Sequence, residues 1–176
     1  MSTGNRLYTP RLLLRPFTLE DAPAVYDLSR EETLRRRMPD QVYGSVEEAA
    51  DVAAFLAEKA QAEQWPFVLG IVLKDTDELI GHVGLSPVSE GVEIGYAVAM
   101  AHQGKGYGTE AVAAFSSWAV KRFSLPGIWA ILMADNEASC RVLKKAGYVF
   151  KWKREKNAFG GAHLCLGYLY TREEEI

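Results

Sequence analysis

Hydrophobic and polar positions along this chain follow two rhythms, one of period two or shorter and one near 3.6, and the switches between them mark its elements. The run RLLLRPF, 11–17, is apolar at successive positions and stops at Pro16, as a first buried strand does. TLEDAPAVYDLSR, 18–30, reads as a helix: Thr18 and Asp21 have capping-box spacing, and Pro23 makes the first turn irregular. Ser45 and Glu48 repeat that spacing and open a helix with Val46, Ala49, Ala53, Leu56 and Ala60 on one face. FVLGIVL and LIGHVGLSPV then form a hairpin pattern across KDTDE, and VEIGYAVAM follows Glu90-Gly91 as a third strand. Its alternation puts Glu93, Gly95 and Ala97 on one face and Ile94, Tyr96 and Val98 on the other. Val112, Phe115, Ala119 and Phe123 restore helical spacing, and GIWAILM is again strand-like. NEASCRVLKKAG runs from Asn136, a good N-cap, to Gly147, a good C-cap, before a final hairpin, YVFKWKRE and LCLGYLYT. The order predicts an α/β (α+β) single domain over residues 1–176. Its sheet is mixed and mostly antiparallel, of about six to seven strands, with one βαβ crossover and helices on both faces.

Composition narrows the class of protein. The 176 residues suffice for one hydrophobic core, and 48% hydrophobic against 24% charged residues is a globular balance. A formal net charge of -3 gives no electrostatic footprint for nucleic acid. Cys140 and Cys165 have neither CxxC nor Cys/His spacing, so no metal is expected and both read as reduced thiols. No apolar run approaches ~20 residues, and the N-terminus lacks the apolar core of a signal peptide. The expectation is a soluble, cytoplasmic protein with neither a membrane nor a nucleic-acid partner.

The chemistry gathers after the third strand of the meander, in HQGKGYGTEA. Gly104, Gly106 and Gly108 alternate there between a strand and a helix, more glycine than a plain turn requires. Such a junction collects unpaired backbone N–H groups at the positive end of a helix dipole, a site for a phosphate or pyrophosphate, and Lys105 could add a charge. No Walker A string is present. A dinucleotide fingerprint is the nearer rival, with Asp135 at the end of the next strand as its ribose acid. Its third glycine falls one residue early, and a long antiparallel pattern precedes it.

The same residues carry a family resemblance. QGKGYGTEA resembles the Q/R-x-x-G-x-G/A signature of the GNAT N-acetyltransferases, with Gln103, Gly106 and Gly108 in the marked positions. VAMAHQ is similar to the family's V-x-P-x-x-R/Q strand exit, with Met100 in place of the common proline. NEASCRVLKKAGY resembles its N-x-x-S…G-F/Y helix through Asn136, Ser139, Gly147 and Tyr148. TPRLLLRPFTLEDA is similar to the opening of the RimJ/RimL-like branch, whose founding members acetylate ribosomal-protein N-termini. The resemblance implies a GNAT-like fold, acetyl-CoA as co-substrate, and direct attack by an amine in a ternary complex. It implies that the backbone of Gln103, Gly104, Lys105, Gly106, Tyr107, Gly108 and Thr109 wraps the diphosphate. The backbone of Val98, Ala99 and Met100 would pair with the pantetheine arm like an added strand. Asn136 would touch the cofactor beside it, a role compatible with capping its helix.

Acetyl transfer needs a neutral amine, a donor for the thioester oxygen and a proton for the departing sulfur. The resemblance puts the oxygen's donor, a backbone N–H, near Ala97–Val98. Glu93 is the candidate base, directly or through water, against the plainer reading of a solvated strand glutamate. Many relatives carry a proton-donating tyrosine where this chain has Leu143, which leaves Ser139 as the candidate acid. His82, His102 and His163 read as structural or solvated, and Cys140 has no readable His–acid pair. The acceptor groove is expected between the first two helices and the final hairpin, lined by Arg35, Arg36, Arg37, Trp65, Trp152 and Phe159. At pH ~7.5 an α-amino group of pKa ~8 is about a quarter neutral and a lysine of pKa ~10.4 about a thousandth, which favours protein or peptide N-termini over other amines. Small amines come next. A non-catalytic acetyl-CoA sensor and an NAD-binding Rossmann relative stay open, and the apolar LCLGYLY offers a homodimer surface.

Overall fold

The computed structural model of the chain describes residues 4–172, so the outermost residues of the expected 1–176 domain lie outside it. The chain opens with strands β1 (Leu7–Tyr8) and β2 (Leu12–Arg15), then helices α1 (Ala22–Ser29), α2 (Glu32–Arg37) and α3 (Val46–Gln61). The meander β3 (Phe67–Leu73), β4 (Leu79–Val88) and β5 (Gly91–Val98) leads into α4 (Tyr107–Arg122) and β6 (Gly127–Met133). Helix α5 (Glu137–Lys145) and the hairpin β7 (Val149–Ala158) and β8 (Gly161–Thr171) complete it.

The described strands form one sheet of eight, in the order β1-β2-β3-β4-β5-β6-β8-β7. The strand beyond the expected six to seven is β1, which pairs only Leu7 and Tyr8 with Leu14 and Leu13. Two residues are too few to print a periodic pattern. A second difference is α2, hidden in ETLRRR: Glu31 is extended (φ -65, ψ 136) and breaks the helical run, and α2 buries only Leu34. At the start of α1, Arg15 makes a buried two-pronged ion pair with Asp21 (2.8 and 3.0 Å), and the Asp21 carboxylate also accepts the Thr18 N–H (2.8 Å). Ser45 caps α3 by accepting the Glu48 N–H, while the Glu48 carboxylate accepts from Gly44, one residue outside the expected box.

One face of α4 supplies the main core. Val112, Phe115, Ala119 and Val120 are buried against Phe67, Leu69, Ile71, Val83 and Leu85 of the sheet. Phe67 stacks on Phe115 at 6.4 Å and meets Phe123 edge-on at 5.0 Å. Each such aromatic contributes about 1.5–3 kcal/mol by leaving water, which seats α4 firmly on β3 and β4. That anchoring sets the geometry of the opening described next.

All neighbouring strands run antiparallel except β5 and β6, whose parallel pairing has a single register, Glu93 opposite Trp129. From there β5 stays with β4 as far as Val98 opposite Gly81, and β6 stays with β8 as far as Met133 opposite Cys165. The sheet therefore splits beyond Glu93. Its V-shaped gap exposes backbone groups that every other inner strand has paired.

Candidate active site

A cavity of about 540 Å³ fills this gap, bounded by Ile94–Val98 on one side and Ala130–Met133 on the other. It opens toward α4 and α5 on one face of the sheet and toward α1 and α2 on the other. Strand β5 is the partition between these two ends.

On the α4 side, the glycine loop is bent by two left-handed residues, Gly104 (φ +74) and Gly106 (φ +84), conformations that cost other L-residues about 1–2 kcal/mol. Gly108 has no such requirement; a Cβ there would meet Tyr96, Val98 and Val142 at an ordinary 3.8 Å. Gly106 is the N-cap of α4 and has no side chain to offer the N–H groups of Tyr107, Gly108 and Thr109. The first intrahelical bond is made by Glu110 N–H to Gly106 O (3.0 Å), so those three donors stay free at the positive end of the dipole. Gln103, Gly104, Gly106, Tyr107, Gly108 and Thr109 line the cavity. Lys105 does not: its ammonium turns back to the Ala101 carbonyl at 3.4 Å.

A second cation, outside the cavity lining, braces the loop from behind. Arg11 donates to the Lys105 carbonyl (2.9 Å), lies 4.3 Å over the Tyr107 ring, and pairs with Glu110 (2.7 Å). The Glu110 carboxylate also accepts from Thr9 Oγ1 (2.7 Å) and the Arg11 N–H (2.8 Å), which lower its pKa against the opposing effect of burial. The β1–β2 turn is thus tied to the first turn of α4. Nothing in local spacing links residue 11 to residue 105, so sequence reasoning missed this residue.

The backbone beside the gap divides by alternation. Ala99 N–H donates to the Ile80 carbonyl (2.7 Å), so Ala97 and Gly95 also turn their backbone groups to β4, while Tyr96 and Val98 turn theirs to the gap. The Val98 carbonyl is taken by the Gln103 side chain (2.9 Å), which leaves the Val98 N–H facing the cavity. Of the expected strand exit, Ala99 and Met100 are already occupied within the chain. The Ala99 carbonyl accepts from His102, and Met100 donates to Glu31 (3.0 Å) and accepts from Gln103. An added strand would therefore meet Val98 and Tyr96 rather than the whole of Val98–Met100.

Asn136 caps α5 by accepting the Ser139 N–H (3.3 Å), and both residues line the cavity. Leu143 lies one turn further along α5 and is buried. Ser139 Oγ accepts a hydrogen bond from the Tyr96 hydroxyl at 2.9 Å. Burial pushes the Tyr96 phenol up to about 12, so it keeps its proton at neutral pH. Tyr96 was visible in the sequence only as a member of a strand face.

On the other face of β5, Glu93 stands at the apex of the gap, one residue before the cavity lining begins. Burial, reinforced by the negative charge of Glu90 and opposed by Lys156, pushes its carboxyl up to about 7. Glu90 itself stays ionised, held by Lys156 (2.9 Å), Arg154 (2.8 Å) and Ser89. Helix α2 roofs this end. Met38 packs over Gly95, and Pro39 meets the β7–β8 turn at Gly160. Arg37 (2.7 Å) and Arg36 (2.8 Å) both pair with Asp135, which bridges α2 to the start of α5.

Of the expected acceptor residues, Arg37 and Phe159 line the cavity. The others do not. Arg35 faces a separate surface cleft, and Trp65 is packed into the core against Phe123 at 5.2 Å. Trp152 lies against Gly167, between Trp129 and the Arg154 guanidinium. His82 is half-buried, and desolvation drives its pKa down to about 4, so it is neutral; His102 contacts Glu78 at 3.2 Å.

A split mixed sheet with a bare, glycine-bent helix start at the gap is the architecture to be placed, and comparison with known proteins gives the family. Residues 11–149 match the model described as "Acetyltransferase (GNAT) domain", and the chain belongs to that family. It is similar to an uncharacterized N-acetyltransferase, YnaD, of Bacillus subtilis, 33% identical over 141 residues and 79% of each chain. Its fold matches the ribosomal-protein-S5-alanine acetyltransferase of Vibrio fischeri, with a TM-score of 0.81, 21% identity, and coverage of 96% of this chain and 97% of that one. It also matches RimL, a ribosomal L7/L12 α-N-protein acetyltransferase solved in complex with coenzyme A (TM-score 0.78, 18% identity, 95% and 98% coverage). The protein is an acyltransferase of the GNAT family. The dinucleotide-binding alternative is overturned, because its parallel sheet is reduced here to one register pair between antiparallel neighbours.

Proposed function

We propose that the protein transfers the acetyl group of acetyl-CoA to a primary amine, preferring the α-amino group of a protein or peptide, by direct attack in a ternary complex. The observation that carries this reading is the split between β5 and β6, which leaves the Val98 N–H unpaired beside a bare helix start, on the same strand as the Glu93 carboxyl. Acetyl-CoA supplies a thioester whose carbon accepts the amine and whose sulfur leaves. Backbone N–H groups of residues 107–109, with Arg11 behind the loop, suit its diphosphate. The cavity walls offer Tyr96 and Val98 backbone groups and Asn136 to the pantetheine arm.

In this reading the Val98 N–H steadies the thioester oxygen as charge gathers on it. Glu93, ionising near pH 7, takes the proton that the amine gives up. A base of that strength matches an α-amino group of pKa ~8 far better than a lysine of pKa ~10.4. Ser139 gives the departing sulfur its proton. Among the described residues no helix is long and apolar enough to cross a membrane, and a cytoplasmic setting is proposed with the substrate.

The test is a release assay for the CoA thiol with three acceptors: a lysine-free peptide with a free N-terminus, the same peptide N-blocked and carrying one lysine, and a small polyamine. Fastest turnover of the first is expected. Turnover of the polyamine or the lysine peptide alone would overturn the acceptor class, and acetyl-CoA binding without any turnover would make the site a sensor.

A further inference from the structure

Leu143 gives α5 no proton donor one turn beyond Ser139, yet a phenol reaches the site from across the gap. Tyr96 stands on the cavity side of β5 and donates to Ser139 Oγ at 2.9 Å. A serine hydroxyl has one proton and two lone pairs, so a bond accepted from Tyr96 leaves its own proton to be directed elsewhere. The Ser139 N–H is held by Asn136, and among the described residues no hydrogen bond takes the Ser139 hydroxyl proton. Both side chains line the same cavity, with Leu143 closing its apolar side.

We propose that Tyr96 is the positioning residue for proton delivery to the leaving sulfur: its hydroxyl fixes the Ser139 rotor so that the serine O–H faces the gap, and strengthens that O–H as a donor. The inference rests on the reading of Ser139 as the acid. The C–S electron pair goes to sulfur and the Ser139 proton moves onto it. The amine's nitrogen keeps the new bond to carbon and gives its proton to Glu93; Ser139 Oγ takes a replacement proton from water and Glu93 returns its own to solvent, so one proton in all passes from amine to thiol. Tyr96 retains its proton throughout and steadies the serine oxygen by its hydrogen bond, because donors in a chain polarise one another. Burial, which holds the phenol near 12, suits this role and would obstruct one in which the phenol ionised.

Tyr96→Phe, Ser139→Ala and the double variant are compared for kcat, for KM of acetyl-CoA, and for the pH at which the bound CoA thiol ionises, read by thiolate absorbance without turnover. Ser139→Ala is expected to lower kcat about 100-fold and Tyr96→Phe about tenfold, both at nearly unchanged KM. The double variant is expected to be no slower than Ser139→Ala, since Tyr96 acts through the serine. The bound thiol should ionise at higher pH in both single variants. Ser139→Ala at the wild-type rate would remove the serine reading and this inference together. A slow Ser139→Ala with an unaffected Tyr96→Phe, or additive losses in the double variant, would overturn the role of Tyr96 alone. Should Tyr96→Phe not fold, a fluorotyrosine at position 96 keeps the shape and makes a stronger donor. The bound thiol must then ionise at lower pH than in the wild type; no shift overturns the proposal.

Discussion

The two ends of the β5–β6 gap are made of different materials. The α4 end is mostly backbone: helix N–H groups, the Val98 N–H and two left-handed glycines, with Arg11 as a brace. The α2 end is mostly side chain: Glu93 at the apex, Arg37 of α2 and Met38 just after it, and Phe159 from the β7–β8 turn. A backbone site depends on torsion angles and is indifferent to most side-chain changes. A side-chain site has the opposite tolerance, and so can change its substrate while the fold stays fixed. The division suits the proposed function, with the acyl donor on one side and the acceptor on the other.

That contrast can be broken at several points. The largest effect is expected at Glu93. Glu93→Gln should lower kcat/KM by about 10²–10³-fold at neutral pH, the usual range for loss of a general base. The wild-type rate should climb as pH rises through about 7, where the raised carboxyl ionises, and the variant should lose that limb and keep only the amine's own titration. A profile of unchanged shape would take Glu93 out of proton transfer. Next comes Arg11→Ala, which should weaken acetyl-CoA about tenfold while the acceptor KM stays level, because a charge-assisted bond and a stacking contact on the loop both go. Equal weakening of both substrates would mean that Arg11 holds the fold rather than the loop. The smallest is Arg37→Ala, expected to raise the acceptor KM about threefold with acetyl-CoA unaffected, since its ion pair with Asp135 is solvent-screened. An acetyl-CoA effect there would show the two ends to be coupled.

The glycine loop and the helix cap of the α4 end were legible in the sequence because each is contiguous, whereas Arg11 and Tyr96 at the same end were not. Three glycines, a strand exit and a capped helix each fit within a dozen residues, and alternation along 93–98 assigned the two faces of β5 correctly. The α2 end was not, because its residues come from chain segments that only tertiary packing unites. Trp65 and Trp152 were expected in the groove on the strength of their chemistry, yet both found larger apolar contacts, one against Phe123 and one across Gly167. Helix α2 was concealed by an extended Glu31 and a polar, arginine-rich sequence. The Tyr96–Ser139 and Arg11–Lys105 bonds span 43 and 94 positions, and no local periodicity encodes a contact of that range.

The central claim is that β5 separates a backbone-built cofactor end from a side-chain-built acceptor end. Calorimetric titration of acetyl-CoA into the wild type, Gly106→Val and Glu93→Gln tests it most directly. Valine at φ +84 is strained and its Cβ would press on Arg11 at 3.2 Å, so binding should weaken by at least about 100-fold. Glu93→Gln should bind acetyl-CoA within about twofold of the wild type, since its side chain lies on the opposite face. Intact binding by Gly106→Val, or a loss in Glu93→Gln to match it, would contradict the division.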